Sequence, residues 1–433
     1  MALLVAVDIA LLYLALWLML CLRFGPDFTS RIWDMHFYAF SVLFPLWLIV
    51  FYIFGLYDQN LAKNTSSFYF AILKATVLNG FVSTTLFYLF PNFLGVTPKT
   101  NLFLTLLFFG ILLSLWRYLF NLLIKSAGFA RGIVIIGKNP QALELVEKIN
   151  SNPQLGYKIV SLIEPEKENI NLKSNSQLYT IVTAVNLNHY PEIAKRLYQY
   201  LPFYNFENFP DFYEKITGKI PLSQIDEFWF LNNLKEREKE VYEKVKRLSD
   251  ILIGAAVGTI TILIFPLVAL AIKLESKGSV FYKQVRMGKN GKKFNLIKFR
   301  SMQKDAEKNG AVWAEKNDLR VTRVGKILRK SLIDELPQFI NILRGEISSI
   351  GPRPERPEFI AQLEKEIPFY QNRHMVKPGL TGWAQVNFKY GNTKQDALEK
   401  LQYELYYIKN RSLFLDLKII LKTVNTLLKG GTL

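Results

Sequence analysis

Four stretches of almost unbroken apolar residues open the chain, at about 2–22, 37–57, 67–91 and 101–124. Each approaches the ~20 residues that an α-helix needs to cross a bilayer, so each is predicted as a transmembrane helix. A signal peptide is the alternative for the first, but no basic segment precedes it, and Leu22-Arg23-Phe24 offers no small-residue cleavage site. Internal charges are few, Asp8, Lys74 and Arg117 being the notable ones, which leaves a transport path little to work with. An anchor or an oligomerisation bundle is the plainer reading.

Past residue 130 the pattern changes. Gly132-Ile-Val-Ile-Ile-Gly137 reads as a buried strand, 140–150 has helical spacing, and Tyr157–Ile163 is a second strand, so a βαβ unit is predicted. It is Rossmann-like but degenerate, because Lys138, Asn139 and Pro140 stand where further glycines would let the backbone approach a pyrophosphate. A structural or regulatory module is expected there rather than a nucleotide site. The polar stretch 164–178 is predicted as a loop, 179–183 as a strand and 191–200 as a helix, with the module ending near Phe230.

After a charged linking helix at 233–247 comes a fifth apolar run, 251–271, which contains Pro266. Proline removes a helical hydrogen bond, and basic residues flank the run on both sides (Lys244, Lys246, Arg247; Lys273, Lys277). These features favour a re-entrant helix whose two ends share one leaflet; a plain fifth span is the alternative. Further on, 279–286 and 294–299 read as strands of a hairpin turning at Gly288–Lys292. The tail 401–428 has amphipathic spacing, suited either to the membrane surface or to packing on the domain.

Composition narrows the partners. The chain is 50% hydrophobic with 33 Phe and 21 Tyr, and its net charge is +18. That charge suits nucleic acid or anionic lipid, and the apolar runs beside it favour lipid. Arg117, Lys125 and Arg131 at the fourth exit place the large basic remainder in the cytoplasm, and four crossings return the N-terminus there. One cysteine and three histidines (His36, His189, His374) argue against disulfides and zinc.

The candidate chemistry lies in 331–356, SLIDELPQFINILRGEISSIGPRPER. Leu328, Leu332, Leu336, Phe339, Ile340 and Leu343 keep helical spacing, but Pro337 predicts a break near Asp334 and a restart. Asp334 and Glu335 then open a helix, where they either cap it or act chemically, Asp334 as a nucleophile on phosphorus and Glu335 in holding Mg²⁺. The Gly351-Pro-Arg-Pro354 turn aims Arg353, with Arg356 beside it, as phosphate ligands. Upstream, 273–300 carries nine Lys or Arg against Glu275, and Lys298 and Arg300 close its second strand on one face. Downstream, 374–387 is either a nucleotide-contacting loop bearing Lys377, Thr381, Gln385 and Asn387, or a structural turn with Trp383 as core.

Taken together, Lys298-Phe-Arg-Ser-Met302, Asp334-Glu-Leu-Pro-Gln338, Gly351-Pro-Arg-Pro354, Lys377–Asn387 and Tyr406-Tyr-Ile…Leu415-Asp-Leu-Lys418 resemble the monotopic phosphoglycosyl transferases in their large form, the polyprenyl glycosylphosphotransferases. The resemblance covers about 245–433. It implies a membrane α plus α/β architecture: a four-helix transmembrane bundle (1–126), a degenerate Rossmann-like module (127–232), a linking helix (233–250), a re-entrant membrane helix (251–274) and a mixed α/β catalytic domain (275–433). It implies a bacterial inner-membrane enzyme with a cytoplasmic catalytic domain. The reaction would move a hexose 1-phosphate (glucose or galactose) from a UDP-sugar to undecaprenyl phosphate, releasing UMP, as the first membrane step of capsule, exopolysaccharide or O-antigen synthesis.

In that family the dyad aspartate forms a phosphosugar intermediate with Mg²⁺ present. The role falls here to Asp334, with Glu335 handling metal or proton and the metal held by both. Arg353 matches the phosphate-binding arginine, Lys298, Arg300, Lys377 and Gln385 are implied donors to diphosphate or uridine, and Asp416 lies in a family motif with no role assigned. Pro266 matches the kink of the re-entrant helix, although Phe265 stands where serine is frequent. A homodimer through the upstream domains is entertained, and no nucleic-acid partner is expected.

Overall fold

The computed structural model describes residues 2–57, 65–94, 99–126, 130–164, 179–185, 190–234, 236–303, 306, 318–388, 391 and 393–428. The loop expected at 164–178 (apart from Glu164) and His189 lie outside them. The chain forms two compact units, Met1–Glu207 and Asn208–Leu433.

In the first unit, four long helices span Ala2–Phe24, Ser30–Ile53, Ser66–Leu89 and Lys99–Ser126, each long and apolar enough to cross a membrane. They share one core in which Leu16, Phe40, Trp47, Phe68 and Phe109 are fully buried. Several polar groups inside these helices pair with one another, as desolvation favours, although both amide atoms of the buried Asn79 lack a hydrogen-bond partner. Arg117 meets Asp8 at 2.5 Å with both side chains buried, His36 Nε2 lies 2.8 Å from Asn101 Nδ2, and Trp47 donates to Ser83 Oγ at 2.7 Å.

The same unit holds a sheet of order β2-β1-β3-β4, built from β1 (Arg131–Ile136), β2 (Tyr157–Ile163), β3 (Tyr179–Thr183) and β4 (Asn205–Asn208). The central strand β1 is parallel to both β2 and β3, as the βαβ reading predicts. The helix Pro140–Ser151 that follows β1 begins at Asn139, whose Oδ1 accepts from Ala142 N at 2.7 Å while its Nδ2 donates to Ala184 O at 3.1 Å. The side chain of Asn139 thus satisfies one of the N–H groups that a pyrophosphate would otherwise meet at that helix N-terminus.

The second unit is organised along one helix of 36 residues, Glu240–Glu275, roughly 54 Å long at ~1.5 Å per residue. The linking helix and the fifth apolar run are thus a single element, and it continues through Pro266. Pro266 is exposed, with its ring on the outer side. The inner side is a stripe of Asp250, Gly254, Gly258, Thr261, Val268 and Ile272, all buried. Gly258 belongs there because any Cβ would come within 2.8 Å of the Phe339 ring. Phe265 stacks on Phe281 at 5.7 Å, and Phe281 on Phe299 at 5.5 Å. The aromatic residue beside the proline thereby ties the helix to the predicted hairpin, β5 (Phe281–Met287) and β6 (Lys293–Phe299).

Strands are sparse in this unit: besides the hairpin there is a short parallel pair, β7 (Ser348–Ile350) with β8 (Gly379–Thr381). The expected amphipathic tail is two helices, Lys394–Asn410 and Leu413–Leu428. The first packs on the domain through Leu401, Leu405 and Ile408. The break falls at Arg411, whose guanidinium is held by Glu236 at 2.5 Å and Glu243 at 3.1 Å.

Candidate active site

The helix Arg323–Lys330 is started by Thr322, whose hydroxyl accepts from Gly325 N at 2.9 Å, and it ends just before Leu332. Leu332 adopts the left-handed conformation at φ 55°, which costs a side-chain-bearing residue about 1–2 kcal/mol. That strained residue and Pro337 interrupt the apolar periodicity. A 3₁₀ turn, Ile333–Gln338, forms between two helices, and the second resumes at Phe339–Arg344. The turn carries Asp334 and Glu335 inward, and each is 7% exposed.

The two carboxylates have opposite surroundings. Glu335 Oε1 accepts from Lys298 Nζ at 2.7 Å and from Arg353 Nη2 at 2.8 Å. Burial alone would raise its pKa, but the charges of Arg353 and Lys298 outweigh it and hold the carboxyl well below the usual range. Asp334 Oδ1 is buried with no hydrogen-bond partner. Burial pushes the Asp334 carboxyl up to about 6, against the charge of Lys298 and with that of Glu335. Neither carboxylate accepts a backbone N–H among the described residues, so neither caps the turn. One acid is locked between two cations; its neighbour is ionised at neutral pH and has an oxygen to spare.

Arg353 reaches Glu335 because its backbone is held at several points. Strand β7 leads into Gly351-Pro-Arg-Pro354, where Gly351 N donates to Thr381 O at 2.9 Å and Gly379 N to Pro352 O at 2.8 Å. A Cβ at Gly351 would fall 2.4 Å from Lys377 O, so no other residue permits this approach. Arg373 donates to Arg353 O at 2.9 Å and is itself fastened by two bonds to Glu404, at 2.9 and 2.7 Å. On the other side Asp250 Oδ1 accepts from Ser348 Oγ, Ser349 N and Ser349 Oγ at 3.0, 2.9 and 2.5 Å.

Of the residues expected at the site, the structure brings together Asp334, Glu335, Lys298 and Arg353. Arg300 instead donates to Ser276 O at 2.7 Å and Lys277 O at 3.1 Å, closing the C-terminal end of the long helix. Arg356 bonds Glu358 at 3.5 Å at the start of the helix Pro357–Glu366. Gln385 Nε2 donates to Leu380 O at 3.1 Å. Lys377 lines a small cavity with Arg247 and Asp250. Asp416 accepts from Lys246 at 2.8 Å, Tyr242 at 2.9 Å and Tyr407 at 3.0 Å, pinning the last helix to the long one. Trp383 is core, with its indole N–H on Gly218 O at 2.9 Å.

Sequence reasoning passed over Arg329, which lowers the Asp334 pKa and donates to Ser301 Oγ at 2.9 Å. It also passed over Arg373, Glu404 and Asp250. Arg329 precedes Asp334 by little more than one helical turn, and that spacing was its only local sign. Among the described residues no three His, Cys, Asp or Glu side chains converge. A divalent ion that keeps waters and substrate phosphates as ligands needs only one or two carboxylates, and the orphaned Asp334 Oδ1 fits one such position.

A family model described as "Bacterial sugar transferase" matches residues 241–430. The chain is 41% identical over 185 residues to the UDP-glucose:undecaprenyl-phosphate glucose-1-phosphate transferase of Caulobacter vibrioides, covering 42% of this chain and 69% of that protein. The chain belongs to the bacterial sugar transferases. Two further relatives are similar to this chain. The UDP-N-acetylgalactosamine-undecaprenyl-phosphate N-acetylgalactosaminephosphotransferase of Aeromonas hydrophila is 44% identical over 241 residues, 55% of each chain. The Klebsiella pneumoniae UDP-glucose:undecaprenyl-phosphate glucose-1-phosphate transferase is 45% identical over 183 residues, 41% of this chain and 39% of that one. Against these two relatives the chain thus spans about half or less of their length.

Proposed function

We propose that the chain transfers a hexose 1-phosphate from a UDP-sugar to undecaprenyl phosphate and releases UMP, with Asp334 as the nucleophile. The observation that carries this is the asymmetry of the dyad: Glu335 is bound by Lys298 and Arg353, while Asp334 has a buried, unpartnered oxygen and titrates at about 6. The relatives' names supply the reaction class, glucose or N-acetylgalactosamine phosphate transfer to undecaprenyl phosphate.

In the first step an Asp334 carboxylate oxygen attacks the sugar-bearing phosphorus. The bond from that phosphorus to the bridging oxygen breaks, and UMP leaves with the electron pair. In the second, a phosphate oxygen of the lipid attacks the same phosphorus, the aspartyl bond breaks, and the carboxylate is regenerated. Lys298 and Arg353 offset charge on the phosphates in both steps while holding Glu335 ionised. Mg²⁺, held by Asp334 and Glu335, would add further charge neutralisation on the diphosphate.

The proposed reaction joins a water-soluble donor to a membrane-bound acceptor, and with a UDP-sugar as a cytoplasmic donor our reading puts the dyad at the cytoplasmic face of the bacterial inner membrane. The anchoring of the long helix supports a re-entrant course. Asp250 holds Ser348 and Ser349 near one end, and at the other Glu275 accepts from Arg323 N and Val324 N at 2.6 and 2.9 Å. These points lie roughly 37 Å apart along the axis, yet both bind one compact unit, whereas a perpendicular span would carry Glu275 across the bilayer. Capsule, exopolysaccharide or O-antigen synthesis is the proposed destination of the product. Purified protein given a panel of labelled UDP-sugars and undecaprenyl phosphate tests the assignment: Asp334→Asn abolishes UMP release, and unchanged turnover excludes Asp334. Labelling a cysteine at position 277 from outside intact cells would exclude the re-entrant course.

A further inference from the structure

Strand β6 carries Lys298, and it pairs with β5 along one edge only. Its other edge turns the backbone of Asn295 and Ile297 towards the helix Phe339–Arg344, which follows the dyad turn directly. An open edge leaves backbone groups without a ladder partner, and Ile297 is buried, so its N–H must find one within the protein. Asn341, itself fully buried, supplies what is missing: its Oδ1 accepts from Ile297 N at 3.1 Å and its Nδ2 donates to Asn295 O at 2.8 Å. One side-chain amide thus stands in for a third strand.

The same residue holds the opposite flank. Asn341 Nδ2 also donates to Glu346 Oε2 at 2.6 Å, and the Asn341 carbonyl accepts from Glu346 N at 3.0 Å. These bonds close the helix just before β7, the strand that leads to Arg353. Asn341 therefore stands between the two segments that bring cations to Glu335: Lys298 from β6, and Arg353 from beyond β7.

Apolar packing brings β6 and this helix together without registering them. Leu296, Ile342 and Ile347 form one buried cluster, but such contacts are non-directional and tolerate sliding along the strand. Arg300 ties the end of β6 to the long helix rather than to the dyad turn. Apart from the Lys298–Glu335 pair, the bonds made by Asn341 are the ones that join β6 to residues 333–344 among the described residues. A slip of about 1 Å is enough to spoil a catalytic geometry, and the 2.7 Å contact of Lys298 with Glu335 would not survive it.

We propose that Asn341 is a positioning residue: it sets the register of β6 against the dyad turn and thereby holds Lys298 on Glu335. Its bearing on turnover rests on the sugar-phosphate transfer proposed above, whereas the tether itself can be read without turnover. The first measurement is amine-reactive labelling of Lys298, followed by peptide mass spectrometry in the full chain. The Lys298 side chain is 20% exposed, so reagent reaches it, and Lys244, at 74%, is the internal control. In Asn341→Ala, with folding verified by a cooperative melt, Lys298 reacts about tenfold faster, the factor that one charged hydrogen bond represents. Lys244 is unchanged, and Glu335→Ala sets the upper limit. An unchanged Lys298 rate overturns the proposal.

The second measurement is UMP release from the donor. There kcat falls about ten- to a hundredfold in Asn341→Ala, yet less than about twofold further when Asn341→Ala is added to Lys298→Met. An equal fall in both backgrounds marks a general structural defect and also overturns the proposal. Faster labelling in Asn341→Ala, together with full turnover in Lys298→Met, supports the tether and counts against the proposed part of Lys298 in the reaction. Should Asn341→Ala fail to fold, Asn341→Asp combined with Glu346→Gln replaces it. That exchange keeps the acceptor for Ile297 N and the contact between the two side chains but removes the donor to Asn295 O. Lys298 labelling at least about twofold faster than in the unaltered chain is then expected, and an unaltered rate is equally refuting.

Discussion

Asp416 is buried between the long helix and the C-terminal helices, and replacing it separates a structural role from a substrate-binding one. Its Oδ2 accepts from Lys246 at 2.8 Å and Tyr242 at 2.9 Å, its Oδ1 from Tyr407 at 3.0 Å, and both side chains of the ion pair are 9% exposed. In Asp416→Asn the amide oxygen still accepts from a tyrosine, but Lys246 is left charged and unpaired in the interior. Losing one partner of a buried pair costs about 3–5 kcal/mol. In a unit of this size each kcal/mol lowers Tm by roughly 2–4 °C, so a drop of about 6–20 °C is expected. Lys246→Met combined with the same Asp416→Asn removes both charges and leaves one tyrosine hydroxyl short of an acceptor, a loss of about 1–3 kcal/mol. Tyr407 retains a contact with Ile350 O at 3.3 Å. The double variant is therefore more stable than Asp416→Asn, with a coupling of at least ~2 kcal/mol between the positions. Thermal unfolding in detergent, followed by a thiol-independent dye, measures all four corners of the cycle. Below its Tm, Asp416→Asn keeps the KM for the donor sugar. Additive melting temperatures, or a raised KM with an unchanged Tm, would refute the structural reading.

Lys298 is the main cation lowering the Asp334 pKa, so Lys298→Met moves the acid limb of UMP release to higher pH. A nucleophile must be ionised, and activity at pH 6 relative to pH 8 therefore falls; a pH–rate profile reads it directly. Burial and Arg373 push His374 down to about 4 from 6.5. Between those values the unfolded chain binds a proton that the native ring refuses, so stability declines as pH falls from 6.5 towards 4. The full linkage is roughly 3 kcal/mol, and partial exposure reduces it to about 1–2 kcal/mol, which His374→Gln abolishes in melts across that range. Glu404→Gln keeps the shape of the Arg373 clamp but weakens its charge. It is expected to lower kcat about tenfold or less, as Arg353 loosens, with partial recovery in Glu404→Asp.

Much of the fold was legible because it rests on local rules. The four apolar helices follow from run length, β1 and β2 from short apolar strands around an amphipathic helix, and the hairpin from a glycine-flanked turn at Gly288–Lys292. The break before Asp334 was also readable from Pro337, though the residue that makes the turn is Leu332, whose left-handed backbone no propensity would assign to a leucine. The joined helix Glu240–Glu275 was read as two elements because its charged and apolar halves look unlike, while the backbone hydrogen bonds that unite them are indifferent to side-chain polarity.

The sequence by itself determined which chemical groups are available: paired acids, an arginine turn between prolines, a lysine at the end of β6, and an apolar anchor beside them. Tertiary structure alone decided how those groups were divided. Lys298 and Arg300, two residues apart, go to the dyad and to a helix end respectively. Asp334 and Glu335, adjacent in the chain, go to an unpartnered buried position and to a double ion pair. The physical reason is that charge and desolvation act through space. A residue type fixes the charge a side chain can carry, but its partners and its pKa depend on burial and on groups contributed by distant segments such as Arg353 and Arg329.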